Sequence, residues 1–271
     1  MEKLTRRIKS RLGYIADIPD IRDFHYIPDE ALMSKLPPAV DLKPAFPVYD
    51  QGRIGSCSAN ALAGAVQYER AAHGELPNFI PSRLFIYYNE RVIEGNVNYD
   101  SGAMLRDGIK SLHKLGVCPE KDWPYNVTPP AHDGGVFPPG TAVRKRPNAA
   151  CYKEASRYVI TRYERVHQDI SHLKACIASG TPFVFGFQVY DSWMNGTQPP
   201  ATQIPMPTQN DKVLGGHAVL CVGYDDSTQL FRIRNSWGEG VGEKGYFLMP
   251  YDYLAHPQLA SDFWMIRMVK N

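Results

Sequence analysis

Apolar positions recur with a helical period in two stretches of the first half of the chain. From Ser58 to His73 an Ala-rich run sets Leu62 and Val66 one turn apart and stops before Gly74, a residue suited to the position after a helix. From Ala103 to Leu115, Leu105, Ile109 and Leu112 fall on one helical face, and Gly116 ends the run. Beyond Cys151 the texture changes. Tyr158 to Val166, Pro182 to Val189, Ala218 to Tyr224, Leu230 to Arg234 and Tyr246 to Met249 are short, β-rich segments that predict strands, with one helix, Ile170 to Ser179, among them. Residues 126–150 are crowded with Pro and Gly and read as a long connection, while residues 1–36 are polar, turn-rich and without core-forming periodicity. A helical stretch over 37–125 and a β stretch over 151–271 predict an α+β fold of two lobes packed face to face. Chemistry in the cleft between them would combine residues far apart in sequence.

Composition narrows the partners. With 30 basic and 28 acidic residues the net charge is +2, which gives no general attraction to nucleic acid or to an anionic membrane. The longest apolar runs, such as Phe183 to Phe187, are far too short to span a bilayer. Lys3, Arg6, Arg7, Lys9 and Arg11 read as a solvated helical face rather than a stripe for an acidic partner. No apolar region follows that basic start, so no Sec signal peptide is expected, and the chain would be cytoplasmic or exported by another route. None of the five cysteines, Cys57, Cys118, Cys151, Cys176 and Cys221, has zinc-ligand spacing or belongs to a disulfide framework. Cys118, Cys176 and Cys221 sit among apolar neighbours and read as buried small hydrophobes. No metal or organic cofactor is expected.

Three segments carry candidate chemistry. In Gln51-Gly-Arg-Ile-Gly-Ser-Cys57 two glycines permit a tight loop, and the Ala-rich helix starts at once after it. A thiol at a helix N-terminus feels the positive end of the dipole, which favours the nucleophilic thiolate, although a lone cysteine opening a helix also reads as structural. In Gly215-Gly216-His217 the glycines allow close backbone approach before a strand whose first residue is a histidine. Arg234-Asn235-Ser-Trp237-Gly238 ends another strand; an Asn can hold an imidazole in one tautomer, and a Trp can keep water off that bond.

With these segments in the order Cys, His, Asn, the chain resembles the papain and cathepsin family of cysteine peptidases, from Leu36-Pro-Pro-Ala-Val-Asp41 to Asp262-Phe263-Trp264. The resemblance implies a papain-like two-lobed fold, with a helical left lobe, an antiparallel β-barrel-like right lobe and the active site between them. It makes Cys57 the nucleophile, His217 its general base, Asn235 the residue orienting that base, Gln51 the oxyanion-hole amide and Trp237 the shield. Gly102 would hydrogen-bond an extended substrate, Met104, Gly186 and Ala218 would line the pocket for the residue before the scissile one (P2), and Asp262 or Ser261 would form its floor. Ile54 and Ser58 stand where the family has a cysteine and an aromatic, and Asp100 to Ala103 lacks the partner cysteine, which implies a bacterial-type, disulfide-poor branch. Residues 1–36 resemble a short propeptide docked in or near the cleft, and 37–271 the peptidase domain. The expected partners are a peptide or protein substrate and this N-terminal segment. A Cys-His acyl transferase shares the nucleophile and base but not Gln51 or Asn-Ser-Trp-Gly, and a non-catalytic module would have no need of all four residues.

Overall fold

The computed structural model describes residues 11–74, 79–194 and 201–268. Lys3, Arg6, Arg7 and Lys9 lie outside them. The helical lobe is built around α1 (Cys57–Ala72), with α2 (Arg83–Ile93) and α3 (Leu105–Leu115) against it. Ala59, Ala61, Ala63, Gly64 and Ala65 make α1 thin enough to be buried on nearly every face, so it runs through the core rather than over it. Ser82 caps α2 by accepting the Phe85 N–H, and Gly116, at φ 73°, ends α3 as its position predicts. The long connection is irregular, as expected, and is tied down by Arg91. That buried guanidinium has carbonyls for partners, donating to Val97 O and Val143 O at 2.6 Å each.

The second lobe is one antiparallel sheet in the order β4 (Arg162–Arg165), β9 (Ala260–Arg267), β5 (Phe183–Tyr190), β6 (Val213–Asp225), β7 (Leu230–Arg234) and β8 (Tyr246–Pro250). β2 (Ala39–Asp41) adds to the far part of β6. The sheet stays open, with β4 and β8 at its ends, where a barrel-like closure was expected. β5 is almost wholly buried on both faces, which commits the sheet to two layers of cover. One face packs on α1; the other carries Phe183, Phe185, Phe231, Phe247 and Phe263 in a separate aromatic core beneath α4 (Ile170–Ala178). Among the described residues no helix is long and apolar enough to cross a membrane.

Residues 11–36 cross both lobes. β1 (Tyr14–Ile15) pairs in parallel with β3 (Ala103–Met104) on the helical side, His25 bridges to Arg165 of β4, and a helical turn at Glu30–Ser34 rests near α4.

Candidate active site

The predicted residues converge where α1 meets β6. Cys57 opens α1 and is fully buried. Its sulfur lies within reach of the backbone N–H groups of Ala218, Gly13 and Ser58, and His217 is the residue before Ala218 on β6. His217 Nε2 bonds Asn235 Oδ1 at 2.7 Å. Asn235 follows the last residue of β7, and β7 pairs with β6, which explains how residues well separated in sequence meet. Trp237 covers the pair, its ring 4.9 Å from the His217 ring, and Trp193 stacks behind it at 5.6 Å. Gln51 is held from both ends. Ser236 Oγ donates to its Oε1 at 2.7 Å, while its Nε2 donates to Ile54 O at 2.9 Å and Arg11 O at 3.0 Å.

The N-terminal segment fills this cleft. Gly13 passes so close to the nucleophile loop that an added Cβ would lie 1.9 Å from Gly55 O, and a Cβ on Gly102 would lie 2.0 Å from Gly13 O. Ala103 N donates to Gly13 O at 2.8 Å. The backbone hydrogen bond thus comes from Ala103, while Gly102, at φ 73°, supplies the close approach. Tyr14 enters the pocket predicted for P2. Its ring lies over Gly186 and Gly216, where a Cβ at Gly186 would sit 1.9 Å from the ring. Its hydroxyl meets Ser261 Oγ at 2.7 Å and donates to Asp262 Oδ2 at 2.5 Å. Met104 flanks it through β3, opposite Ile15. Arg11 sets its guanidinium 5.9 Å from the Trp237 ring and 3.7 Å from Asp50.

Sequence reasoning did not find the anchor beyond Tyr14. Asp17 is buried, accepting from Trp264 Nε1 (2.8 Å), Arg106 N (3.1 Å) and Arg165 Nη2 (3.2 Å), and its own N–H donates to Asp262 Oδ2 at 2.7 Å. Arg165 also reaches Asp262 Oδ1 (3.0 Å) and Asp23 Oδ2 (2.7 Å). The signal available was the spacing of Asp17, Asp20 and Asp23 at every third position in a segment read as turns. Glu90 was also missed. It is fully buried behind the nucleophile helix and accepts from Ser58 Oγ at 3.0 Å, at the position where an aromatic was expected.

Burial sets the charge of the dyad. It pushes the Cys57 thiol up to about 11, against the backbone N–H groups that favour thiolate. It pulls His217 down to about 4, against the Asn235 bond, with the Arg11 guanidinium adding to the fall. With the cleft filled, burial therefore favours the neutral thiol and the neutral imidazole.

The papain family cysteine protease pattern matches residues 36–264. An uncharacterized peptidase C1-like protein of Acanthamoeba polyphaga mimivirus is 37% identical, the match spanning 98% of this chain and 90% of that protein. Xylellain, a cysteine protease from Xylella fastidiosa, superposes with a TM-score of 0.94 at 63% identity over 98% of each chain. Digestive procathepsin L 3 of the Tenebrio molitor larval midgut shares the fold, with a TM-score of 0.70 at 19% identity over 98% of this chain and 78% of that one. The cysteines of this chain are all free, as the absence of the partner positions implied.

Proposed function

Because the chain belongs to the papain family of cysteine proteases, we propose that it cleaves peptide bonds through Cys57 and His217, and that residues 1–36 hold the domain formed by 37–271 latent. The carrying observation is the Asn235-held, Trp237-covered imidazole on the strand whose next residue, Ala218, meets the thiol that opens α1. Once the cleft is open to water, the desolvation that keeps both groups neutral is relieved, and the proton passes from Cys57 to His217 Nδ1. The thiolate attacks the scissile carbonyl. The oxyanion accepts from Gln51 Nε2 and the Cys57 N–H, His217 gives its proton to the leaving amine, and a water that loses its proton to His217 cleaves the thioester. Alkylation of the chain by an epoxide that traps such thiolates, mapped to Cys57, tests the assignment.

The Arg11 carbonyl supports the role of Gln51, since it takes the hydrogen bond an oxyanion would take. Gln51→Ala should lower kcat by about 10²–10³ with little change in KM. In a chain whose segment is displaced by Gly13→Val, Gln51→Ala should leave the rate of Cys57 alkylation by iodoacetamide at mildly acidic pH unchanged. A loss of that alkylation would assign Gln51 to the ion pair instead.

Latency also has a polarity argument. In a substrate the P2 residue precedes the carbonyl that is attacked. In the docked segment the P2-pocket occupant, Tyr14, follows the carbonyl at Gln51, that of Arg11. The segment thus lies backwards in the cleft, with no bond presented for cleavage in the productive sense.

The pocket that holds Tyr14 also bears on P2 choice. Asp262 is paired with Arg165, which offsets its attraction for a P2 cation, and its Oδ2 points to a phenol. A P2 tyrosine should be cleaved about 10-fold faster in kcat/KM than phenylalanine, because the analogue leaves that acceptor unpaired. Asp262→Ala should remove the difference; a profile led by P2 arginine and abolished by the same substitution would make Asp262 a cation acceptor instead.

Acid should not unlock the segment. Burial and the Asp262 charge push Asp17 above its ordinary range, so its contribution to docking is full at low pH and lost as pH rises through the elevated value. His217, depressed to about 4, contributes with the opposite sign, its share being lost as pH falls from near 6.5 towards 4. Between pH 7 and 5 the two oppose. The activity of the full chain relative to a released form should change by less than about threefold, and a tenfold rise at pH 5 would show an acid trigger.

A further inference from the structure

Undocking of residues 1–36 strips acceptors from a set of donors beside the Tyr14 pocket. Among the described residues, the Arg106 side chain donates its hydrogen bonds to that segment: Nε and Nη2 to the Asp23 carboxylate (3.2 and 2.5 Å) and Nη1 to Ile18 O. The Arg106 backbone N–H, in the first turn of α3, and the Trp264 indole N–H both point at Asp17. Arg165 would keep Asp262 but lose Asp17 and Asp23. Both guanidinium groups lie against the Trp264 ring, at 4.5 Å for Arg165 and 5.7 Å for Arg106, which holds them in place without the carboxylates. The Arg106 fork and Arg165 Nε face Asp23, while Arg165 Nη2, the indole N–H and the N-terminus of α3 face Asp17, so that two adjoining carboxylate positions bridged by Arg165 form a receptor that two aspartates occupy in the docked chain. Glu94 and Asp107 lie near Asp17 and Arg106 respectively, so recognition comes from directed donors rather than from net charge.

We propose that Arg106, Arg165 and the Trp264 indole form a substrate subsite for an acidic side chain on the N-terminal side of P2. Resting on the peptidase reading above, the inference names the substrate class: peptides carrying Glu or Asp a few residues before the scissile bond. Asp17 stands three residues beyond Tyr14 along a chain that runs opposite to a substrate. The matching substrate positions are therefore P3 to P5.

The test uses the full-length chain carrying Gly13→Val, whose side chain has no room against Gly55, and two peptides identical except for Glu or Gln at P3 to P5, with tyrosine at P2. The Glu peptide should be cleaved with about 10–100-fold higher kcat/KM, the range expected of a charge-assisted hydrogen-bonded pair. The ratio should shrink towards one in Arg106→Gln or Arg165→Gln and at high salt. The same peptides, fluorescently labelled, should show the same order of affinity for the Gly13→Val, Cys57→Ala chain, which needs no turnover. Cleavage of both peptides at equal rates, or a preference for Lys at these positions, overturns the subsite while leaving the peptidase reading intact. No cleavage of either, with the Glu peptide still bound more tightly, supports the subsite and removes the peptidase reading. Equal binding of the two, or binding of neither, overturns the subsite whatever the activity.

Discussion

Cys57→Ala should abolish peptide hydrolysis, lowering kcat by about 10⁵-fold or more, the scale seen when a nucleophile is removed from a catalytic unit whose parts act together. The expectation rests on position. Cys57 is the cysteine that meets the backbone of the His217 strand and opens α1. Cys176 and Cys221 lie in the aromatic core of the β lobe. Cys118 and Cys151 belong to the helical-lobe core, where Cys151 Sγ donates to Asp122 O at 3.4 Å. Alanine at any of these four should leave kcat within a few-fold, since none faces the cleft. The measurement is turnover of a small fluorogenic peptide by a Gly13→Val form of each variant, so that latency does not mask the loss. Turnover by the Cys57→Ala chain near the parent rate would remove the thiol mechanism altogether.

The residues proposed as catalytic were legible because glycines or a strand end mark the approach to each, although His217 lies inside β6 rather than at the strand start the sequence suggested. Gly52 and Gly55 announce the loop before α1, Gly215 and Gly216 the approach to His217, and Asn235 follows a strand whose bounds, Leu230 to Arg234, the pattern predicts without error. Two elements, α2 and β9, were less legible. α2 has apolar and aromatic residues around most of its circumference, and its buried Glu90 and Arg91 break the apolar stripe that periodicity detects. β9 went unmarked because both of its faces are covered and Asp262, at φ 58°, interrupts the extended run next to the register shift against β5. The left-handed turn at Asp262 also aims its carboxylate at Tyr14, so the feature that hid the strand forms the floor of the pocket. Residues 11–36 were opaque for another reason. Their order comes from contacts with distant parts of the chain, Tyr14 with Asp262 and Asp17 with Trp264, and no local pattern encodes such pairs.

The full-length chain carrying Gly13→Val should show kcat/KM on small peptides about 10³-fold above the parent. Docking buries the Tyr14 ring, an aromatic that removes roughly 150–250 Å² from water and so contributes about 4–6 kcal/mol before ordering costs. The Asp17 and Asp23 ion pairs add little net, since their desolvation offsets much of the attraction, but they fix the register in which Tyr14 meets its pocket. A tether of this length presents the segment at millimolar effective concentration, and suppression of access to the cleft by about three orders of magnitude corresponds to a surplus of about 4 kcal/mol. Gly13 is the residue on which this depends, because its backbone crosses Gly55 and Gly102 with no space for a Cβ. Valine there cannot dock without moving the nucleophile loop, yet residue 13 lies outside the two hydrophobic cores. Folding of the domain is therefore expected to survive. Iodoacetamide gives a readout independent of substrate. In the parent, with Cys57 pushed up to about 11, alkylation at pH 7 should be slow and should climb steadily with pH. In the variant the exposed thiolate–imidazolium pair should react readily at pH 5 to 6. An excess of a peptide spanning residues 1–36 should restore both the slow alkylation and the low turnover. If Gly13→Val leaves turnover and the pH profile of alkylation unchanged while the chain stays folded, the segment seen in the cleft is not what limits activity.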